Sequence, residues 1–339
     1  MKIRIAVCVY TAVQFYRIAI KKMKRLRCRY RTLCLLVNMK KSIENGSVSE
    51  KPTVLLSKMS TVIGGTRYTS ARATARGILL TAPDAGEVHL LEPKADNSIK
   101  CVAKLENGQV SAACYDLEGK NLYVADLAAA AVLLVVEPEE SKEGKNGEAE
   151  VEEFVKDYEG EGMIGPNNVC CGPDGSLFFT DSGPLGETTL QNPNGSCFCI
   201  SQSYGEQILK PLALNCLAHP SGIACSSDGN ALYVSETFNN RVLRFVQHPK
   251  GIWQLSVYHQ FSGRMGPMGL ACGNDGTLYV ARFETRSCAT DGVVSVIKTD
   301  GTRGDDLIIP GPEVTGVAVQ GSKLYVTEGS TKTVYGYDV

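Results

Sequence analysis

Residues 219–235 read HPSGIACSSDGNALYVS, and this stretch decides the fold. The same phrase occurs as GPNNVCCGPDGSLFFT at 165–180 and as GPMGLACGNDGTLYVA at 266–281. A short run of small and β-branched residues leads into Asp-Gly, the strongest short hairpin signal, because glycine accepts positive φ without steric cost. A Leu-Tyr-Val type strand follows. Further copies of that strand lie at 77–81 (GILLT), 121–126 (NLYVAD) and 323–328 (KLYVTE). Aligned on Leu79, Tyr123, Phe178, Tyr233, Tyr279 and Tyr325, the six copies are spaced 44, 55, 55, 46 and 46 residues apart.

Each copy continues through a polar loop into another alternating strand, such as GEVHLLEP, AVLLVVEP or RVLRFV. No segment keeps a long helical period, and turn signals recur roughly every 8–12 residues, which indicates an all-β chain. Four antiparallel strands per unit and six units specify an all-β, six-bladed β-propeller. The last copy stops after its third strand at Val339, so its outer strand must come from elsewhere. The run Pro52–Ser57 is expected to supply it and close the ring. The domain reading is a basic leader at 1–50, disordered or partly helical, then a propeller over 51–339 with an acidic insertion at 137–162.

Charge is distributed unevenly. Residues 1–41 carry twelve Lys and Arg and no acid, while the remainder has a balance of −13. The bulk of the chain thus lacks the basic footprint of a nucleic-acid binder. The apolar run Ile5–Tyr16 falls short of the roughly 20 residues that a membrane span needs. A mitochondrial presequence, a membrane-surface patch and an upstream extension with a start at Met23 or Met39 all suit the leader. The compartment is read as cytoplasmic, with the mitochondrion as the alternative, and the protein as a monomer. Insertion 137–162 holds eleven acidic and three basic residues and reads as a solvated hairpin or disordered loop. The thirteen cysteines have no short metal spacing and are read as packing residues in a reducing compartment.

In a propeller the inner strands line the central channel. The residues that open them are expected to be Gly64, Ser111, Asn167, Ser221, Met268 and Thr315. The second strands return to the same face and end at Asp84, Asp126, Asp181, Glu236, Arg282 and Glu328. An acid at a strand end caps a turn as readily as it binds a ligand. Of the four histidines, only His219, before Pro220, is placed near the channel mouth. Motifs for a nucleophile elbow, a phosphate loop or a His-Glu-x-x-His zinc site are absent from the sequence.

The segments HPSGIACSSDGNALYVSETFNNRVLRF, GPNNVCCGPDGSLFFTDSGPLGE and EVTGVAVQGSKLYVTEGSTKTVYGYD resemble the gluconolactonase/regucalcin-like family, which includes luciferin-regenerating enzyme. The turn at 239–245 is also similar to NHL-type repeats. The resemblance implies a calcium or zinc ion at the top of the channel and hydrolysis of sugar lactones or related esters. It implies as ligands a Glu opening the first blade, an Asn in Pro-Asn-Gly and an Asp in Pro-Asp-Gly, with a substrate-holding Asn in Pro-Asn-Asp. This chain departs from that pattern. Asn167 in Pro166-Asn167-Asn168 is retained, but Ser221 stands for the ligand Asn, Met268 for the Asp, and Gly64 for the Glu.

Hard cations need anionic or carbonyl oxygens, and a thioether is a poor substitute. The expectation is therefore a diverged or non-catalytic propeller that binds a small molecule or protein at its top face, through Asn167, Ser221, Met268, Thr315, Ser111, Asp181 and Glu236. No cofactor is expected on that reading. The alternative is a metal-dependent lactonase or ester hydrolase, for which calcium or zinc would be required.

Overall fold

The structure, a computed structural model, describes residues 59–93, 97–136, 150–203, 206–263, 266–284 and 290–339. Six four-stranded antiparallel sheets follow one another as the blades of a β-propeller. The inner strands are Ser70–Ala73, Val110–Tyr115, Pro166–Cys171, Pro220–Cys225, Gly266–Cys272 and Val314–Gln320 in blades one to six. Each packs against the inner strands of its neighbours around the axis. Among the described residues the only helical turn is Pro249–Gly251.

The repeated phrase folds as its residues dictate. Gly119, Gly175, Gly229 and Gly276 all take φ between 70° and 82° at the tip of the first hairpin. Asp174, Asp228 and Asp275 accept the backbone N–H two residues on, at 3.0–3.1 Å, which fixes the turn. The second strands then pair in the expected register. Leu79, Tyr123, Phe178, Tyr233, Tyr279 and Tyr325 face Arg72, Cys114, Cys170, Ala224, Ala271 and Ala318 of the inner strands.

The sixth blade is completed from the N-terminal side, but by Met59–Gly64. The run 52–57 expected for this strand, like the leader at 1–50, lies outside the described residues. Met59, Ser60 and Thr61 pair with Tyr337, Gly336 and Tyr335. Gly64 therefore ends an outer strand and does not open blade one. Thr69 does, because Ser70 pairs with Thr81 as Ala112 pairs with Ala125 in blade two.

The second half of the acidic insertion is structured. Glu150–Val155 is the outer strand of blade two, and Asp157–Tyr158 pairs with Glu161–Gly162 in a small hairpin. Its acids point outward while Phe154 packs 4.9 Å from Tyr123 and Tyr158 packs 5.6 Å from Phe198. Residues 137–149 lie outside the described set.

Burial is concentrated in the gaps between blades. Six apolar clusters fill the six gaps, such as Phe179, Phe198, Val169 and Met163 between blades two and three. Near the axis, glycine sets the approach of the inner strands. A Cβ on Gly222 would fall 2.1 Å from the Met268 carbonyl oxygen, and one on Gly269 would fall 2.7 Å from the Gly316 Cα. Backbone cannot move aside as a side chain can. Gly222→Ala is accordingly expected to lower unfolding free energy by about 3 kcal/mol, measured by denaturant titration.

Candidate functional site

Five of the expected channel-mouth residues share one backbone device. Strand register slips at Ser111, at Asn167, across Ser221-Gly222, across Met268-Gly269, and at Thr315. Each is a β-bulge in the inner strand of its blade, opposite the last residues of the second strand. Bulges break the ladder and re-aim side chains. Blade one has no such slip.

The bulges free polar groups, and most are used to join one blade to the next. Thr81 Oγ1 donates to the Ser111 carbonyl at 3.0 Å, joining blades one and two. Ser111 Oγ lies 2.9 Å from the carbonyls of Ala125 and Pro166, the latter in blade three. Thr180 Oγ1 donates to the Ser221 carbonyl at 2.7 Å, joining blades three and four. Ser235 Oγ reaches the Met268 carbonyl at 2.6 Å and Thr237 Oγ1 the Pro267 carbonyl at 2.8 Å. Ser221 Oγ completes that seam, 2.8 Å from Thr237 Oγ1 and 3.4 Å from the Pro267 carbonyl. Thr315 Oγ1 lies 3.2 Å from the Tyr68 carbonyl, joining blade six to blade one.

Two bulge residues stand apart. Asn167 is half-buried, and among the described residues its amide makes no side-chain hydrogen bond, since Thr180 serves the seam in its blade. Met268 is also half-buried and carries no donor; its sulfur lies 3.6 Å from Thr237 Oγ1. Blade five has Ala281 where blades one, three, four and six have Thr or Ser; blade two has Ala125, but there Ser111 supplies the seam hydroxyl. The seam from blade five to blade six is closed instead by Gly269 against Gly316.

The acids at the strand ends act as caps. Asp181 accepts the N–H groups of Ile164 at 3.0 Å and Gly165 at 2.7 Å, the residues leading into its own inner strand. Burial nevertheless pushes its carboxyl above the usual range. Glu236 takes the Ala218 N–H at 2.8 Å, Asn239 Nδ2 at 2.5 Å and Arg241 Nε at 2.6 Å. Glu328 receives the Glu313 N–H at 2.8 Å and both the N–H and hydroxyl of Thr331. Asp126 takes the Ala129 N–H at 2.8 Å through Oδ1, while its buried Oδ2 has no partner among the described residues. In blade five Arg282 replaces the acid, 4.1 Å over the Phe261 ring, and burial lowers its pKa to about 10. Blade one ends its second strand at Ala82, so Asp84 is not part of the arc; it is exposed, 3.5 Å from Arg67.

Beneath the bulges Arg72 spans the channel. Its Nη2 donates to Asn168 Oδ1 at 2.8 Å and to the Ile223 carbonyl at 2.9 Å, linking blade one to blades three and four across the axis. Sequence reasoning missed Arg72. The signal was present, since a long cation occupies the register position that is Cys or Ala in the other five blades. Near it, Cys170 and Cys225 sulfurs are 3.6 Å apart on adjacent inner strands. The hydrogen bond from Cys225, aided by Arg72, holds the Cys170 thiol below its ordinary range.

His219 lies in the turn into blade four at φ 57°, buried to 1% exposure. Its Nδ1 lies 3.5 Å from Thr188 Oγ1 of the long loop that follows Asp181, and its ring packs 5.4 Å from Phe238. Burial lowers its pKa to about 4, so the imidazole is neutral at physiological pH.

The donors at the mouth do not suit a calcium ion. Among the described residues they comprise one amide, hydroxyls committed to blade seams and a thioether, and the strand-end carboxylates hold backbone amides or other side chains, with only the buried Oδ2 of Asp126 unengaged. Calcium takes six to eight oxygens and a charged set.

A family model, "SMP-30/Gluconolactonase/LRE-like region", matches residues 78–330, about three quarters of the chain. Lactonase drp35 from Staphylococcus aureus is 29% identical over 141 residues, spanning 40% of this chain and only 40% of that protein. Among solved structures, luciferin-regenerating enzyme superposes at TM-score 0.64 with 16% identity, covering 83% of this chain and 95% of that one. A calcium-binding regucalcin from Agrobacterium tumefaciens gives TM-score 0.62 at 18% identity, covering 81% and 91%. At such identities the structural likenesses establish the fold.

Neutral burial of His219 has a measurable consequence. Its folded pKa of about 4 lies below the ordinary 6.5, so between these values the unfolded chain binds more protons. Stability is then full above pH 6.5 and falls as pH drops toward 4, by at most about 3 kcal/mol. Urea titrations across this range are expected to show that His219→Gln flattens the acid side of the profile.

Proposed function

Starting from a chain that belongs to the SMP-30/gluconolactonase/LRE-like family, we propose a diverged member that binds a small neutral molecule at the channel mouth and does not use the metal chemistry implied by the family resemblance. One observation carries this reading. Of the five bulge residues, Asn167 and Met268 alone send no side-chain bond to the next blade among the described residues, and both are half-buried. Asn167 offers both a donor and an acceptor to a polar group. Met268, two blades further round the ring, offers a soft, adaptable apolar surface. Ser111, Ser221 and Thr315 shape the rim while holding the blades, and Asp181 and Glu236 fix the connections behind it.

The chemistry of the donors supports binding over hydrolysis. A metal-assisted hydrolase needs a Lewis acid to polarise the carbonyl or to activate water. Here thioether and hydroxyl stand at two of the positions where the family resemblance implies ligands, and the strand-end acids have other partners. His219 is neutral, buried and held in a turn. The alternative, a lactonase or ester hydrolase, draws on the activity in the name of the staphylococcal relatives, and the match spans less than half of their length.

Gluconolactone serves as the probe for both readings. Calorimetric titration is expected to give saturable binding that weakens at least tenfold in Asn167→Ala and in Met268→Asp. Hydrolysis of the lactone is expected to stay at the uncatalysed rate with calcium or zinc added. Metal-dependent turnover abolished by Asn167→Ala would overturn the proposal in favour of the hydrolase.

A further inference from the structure

A second cluster of chemically active side chains lies on blade one, away from the channel. The third strand of this blade is Glu87–Glu92 and its outer strand Ser98–Lys104. Side chains alternate along a strand, so Glu87 and His89 share a face. His89 pairs directly with Cys101 across the ladder, and Glu87 with Lys104. A bulge after Val88 leaves Val102 unpaired and keeps both pairs in register. The backbone therefore brings a carboxylate, an imidazole and a thiol to one patch.

Their ligand atoms all lie within 4.8 Å of one another. His89 Nε2 is 3.1 Å from Glu87 Oε2. The imidazole is oriented from behind, with Nδ1 2.7 Å from the Tyr68 hydroxyl and the two rings edge to face at 5.6 Å. Such a hydrogen bond on the far nitrogen is what fixes the tautomer and aim of a metal-binding histidine. The side chains of His89 and Glu87 are 13% and 22% exposed, and Cys101 is exposed, so the patch is both ordered and open to solvent.

We propose that Glu87, His89 and Cys101 form a zinc site, with three protein ligands and a fourth position left to water. The donor set argues for zinc over calcium or magnesium, because thiolate and imidazole are the ligands of a borderline-soft ion. On binding, the Cys101 thiol gives its proton to solvent. His89 keeps one proton, on Nδ1, where it donates to the Tyr68 oxygen. Lys104, 2.8 Å from Glu87 Oε1 and largely exposed, holds the other carboxylate oxygen. Ion pairs at such exposure are weak, so Lys104 yields to a divalent ion. The site shares no residue with the channel mouth, and it stands or falls independently of the function proposed there.

The full chain, stripped of metal, is titrated with cobalt(II) and then zinc. The expected result is a one-to-one cobalt complex with a thiolate-to-metal charge-transfer band, which zinc bleaches. Cys101→Ser should abolish the band, and His89→Gln and Glu87→Gln should each weaken zinc binding at least tenfold. Asn167→Ala should leave it unchanged. Cys101 is exposed, so its replacement spares the fold, and circular dichroism of each variant verifies this. A band that survives intact in Cys101→Ser, or a chain that takes up no zinc, overturns the proposal.

Discussion

The inner ring of the propeller must hold six strands side by side around an axis, and the hydrogen bonds between adjacent blades meet that constraint. Sheet ladders bond strands within a blade and leave the seams between blades without backbone pairing. Here the seams are joined near the mouth by hydroxyls: Thr81, Ser111, Thr180, Ser221 with Ser235 and Thr237, and Thr315. The β-bulges make this possible, because each frees a carbonyl or turns a hydroxyl toward the neighbouring blade. Blade five, with Met268 and Ala281, uses the close contact of Gly269 and Gly316 instead.

This constraint commits most polar groups of the channel mouth to the fold. A hydroxyl committed to a seam loses a partner in the fold whenever it binds something else, and leaving a buried polar group unpaired costs about 1–3 kcal/mol. The same accounting applies to Asp181, Glu236 and Glu328, whose oxygens hold the connections that lead into the inner strands. Asn167 and Met268 carry no such commitment, and Arg72 crosses the channel beneath them.

Much of this was legible in the residues. The Asp-Gly turns and Leu-Tyr-Val strands gave six blades and the correct register from Tyr123 onward, because each repeat signals its own local geometry. The first blade was harder. TVIGGTRY lacks the repeated phrase, so the closing strand was expected at 52–57 and Gly64 was assigned to the mouth, where Thr69 stands. Insertion 137–162 reads from its charge as a solvated hairpin or disordered loop, yet Phe154 and Tyr158 reach a blade gap, since an outer strand needs only an occasional apolar residue. Arg72 stands out in the aligned repeats as a cation among Cys and Ala, but its partners do not; the seams and the Glu87–His89–Cys101 patch depend on contacts between strands distant in sequence or on an unpredicted bulge. No local pattern encodes them.

The most direct test is the unfolding free energy of Ser221→Ala and Thr315→Val measured in the absence of any ligand. If the hydroxyl ring belongs to the fold, each variant should lose about 1–3 kcal/mol, since Thr315→Val leaves the Tyr68 carbonyl without its donor and Ser221→Ala removes the partner of the buried Thr237 hydroxyl. Unchanged stability in both variants would contradict this account and return Ser221 and Thr315 to the role of ligand-binding groups.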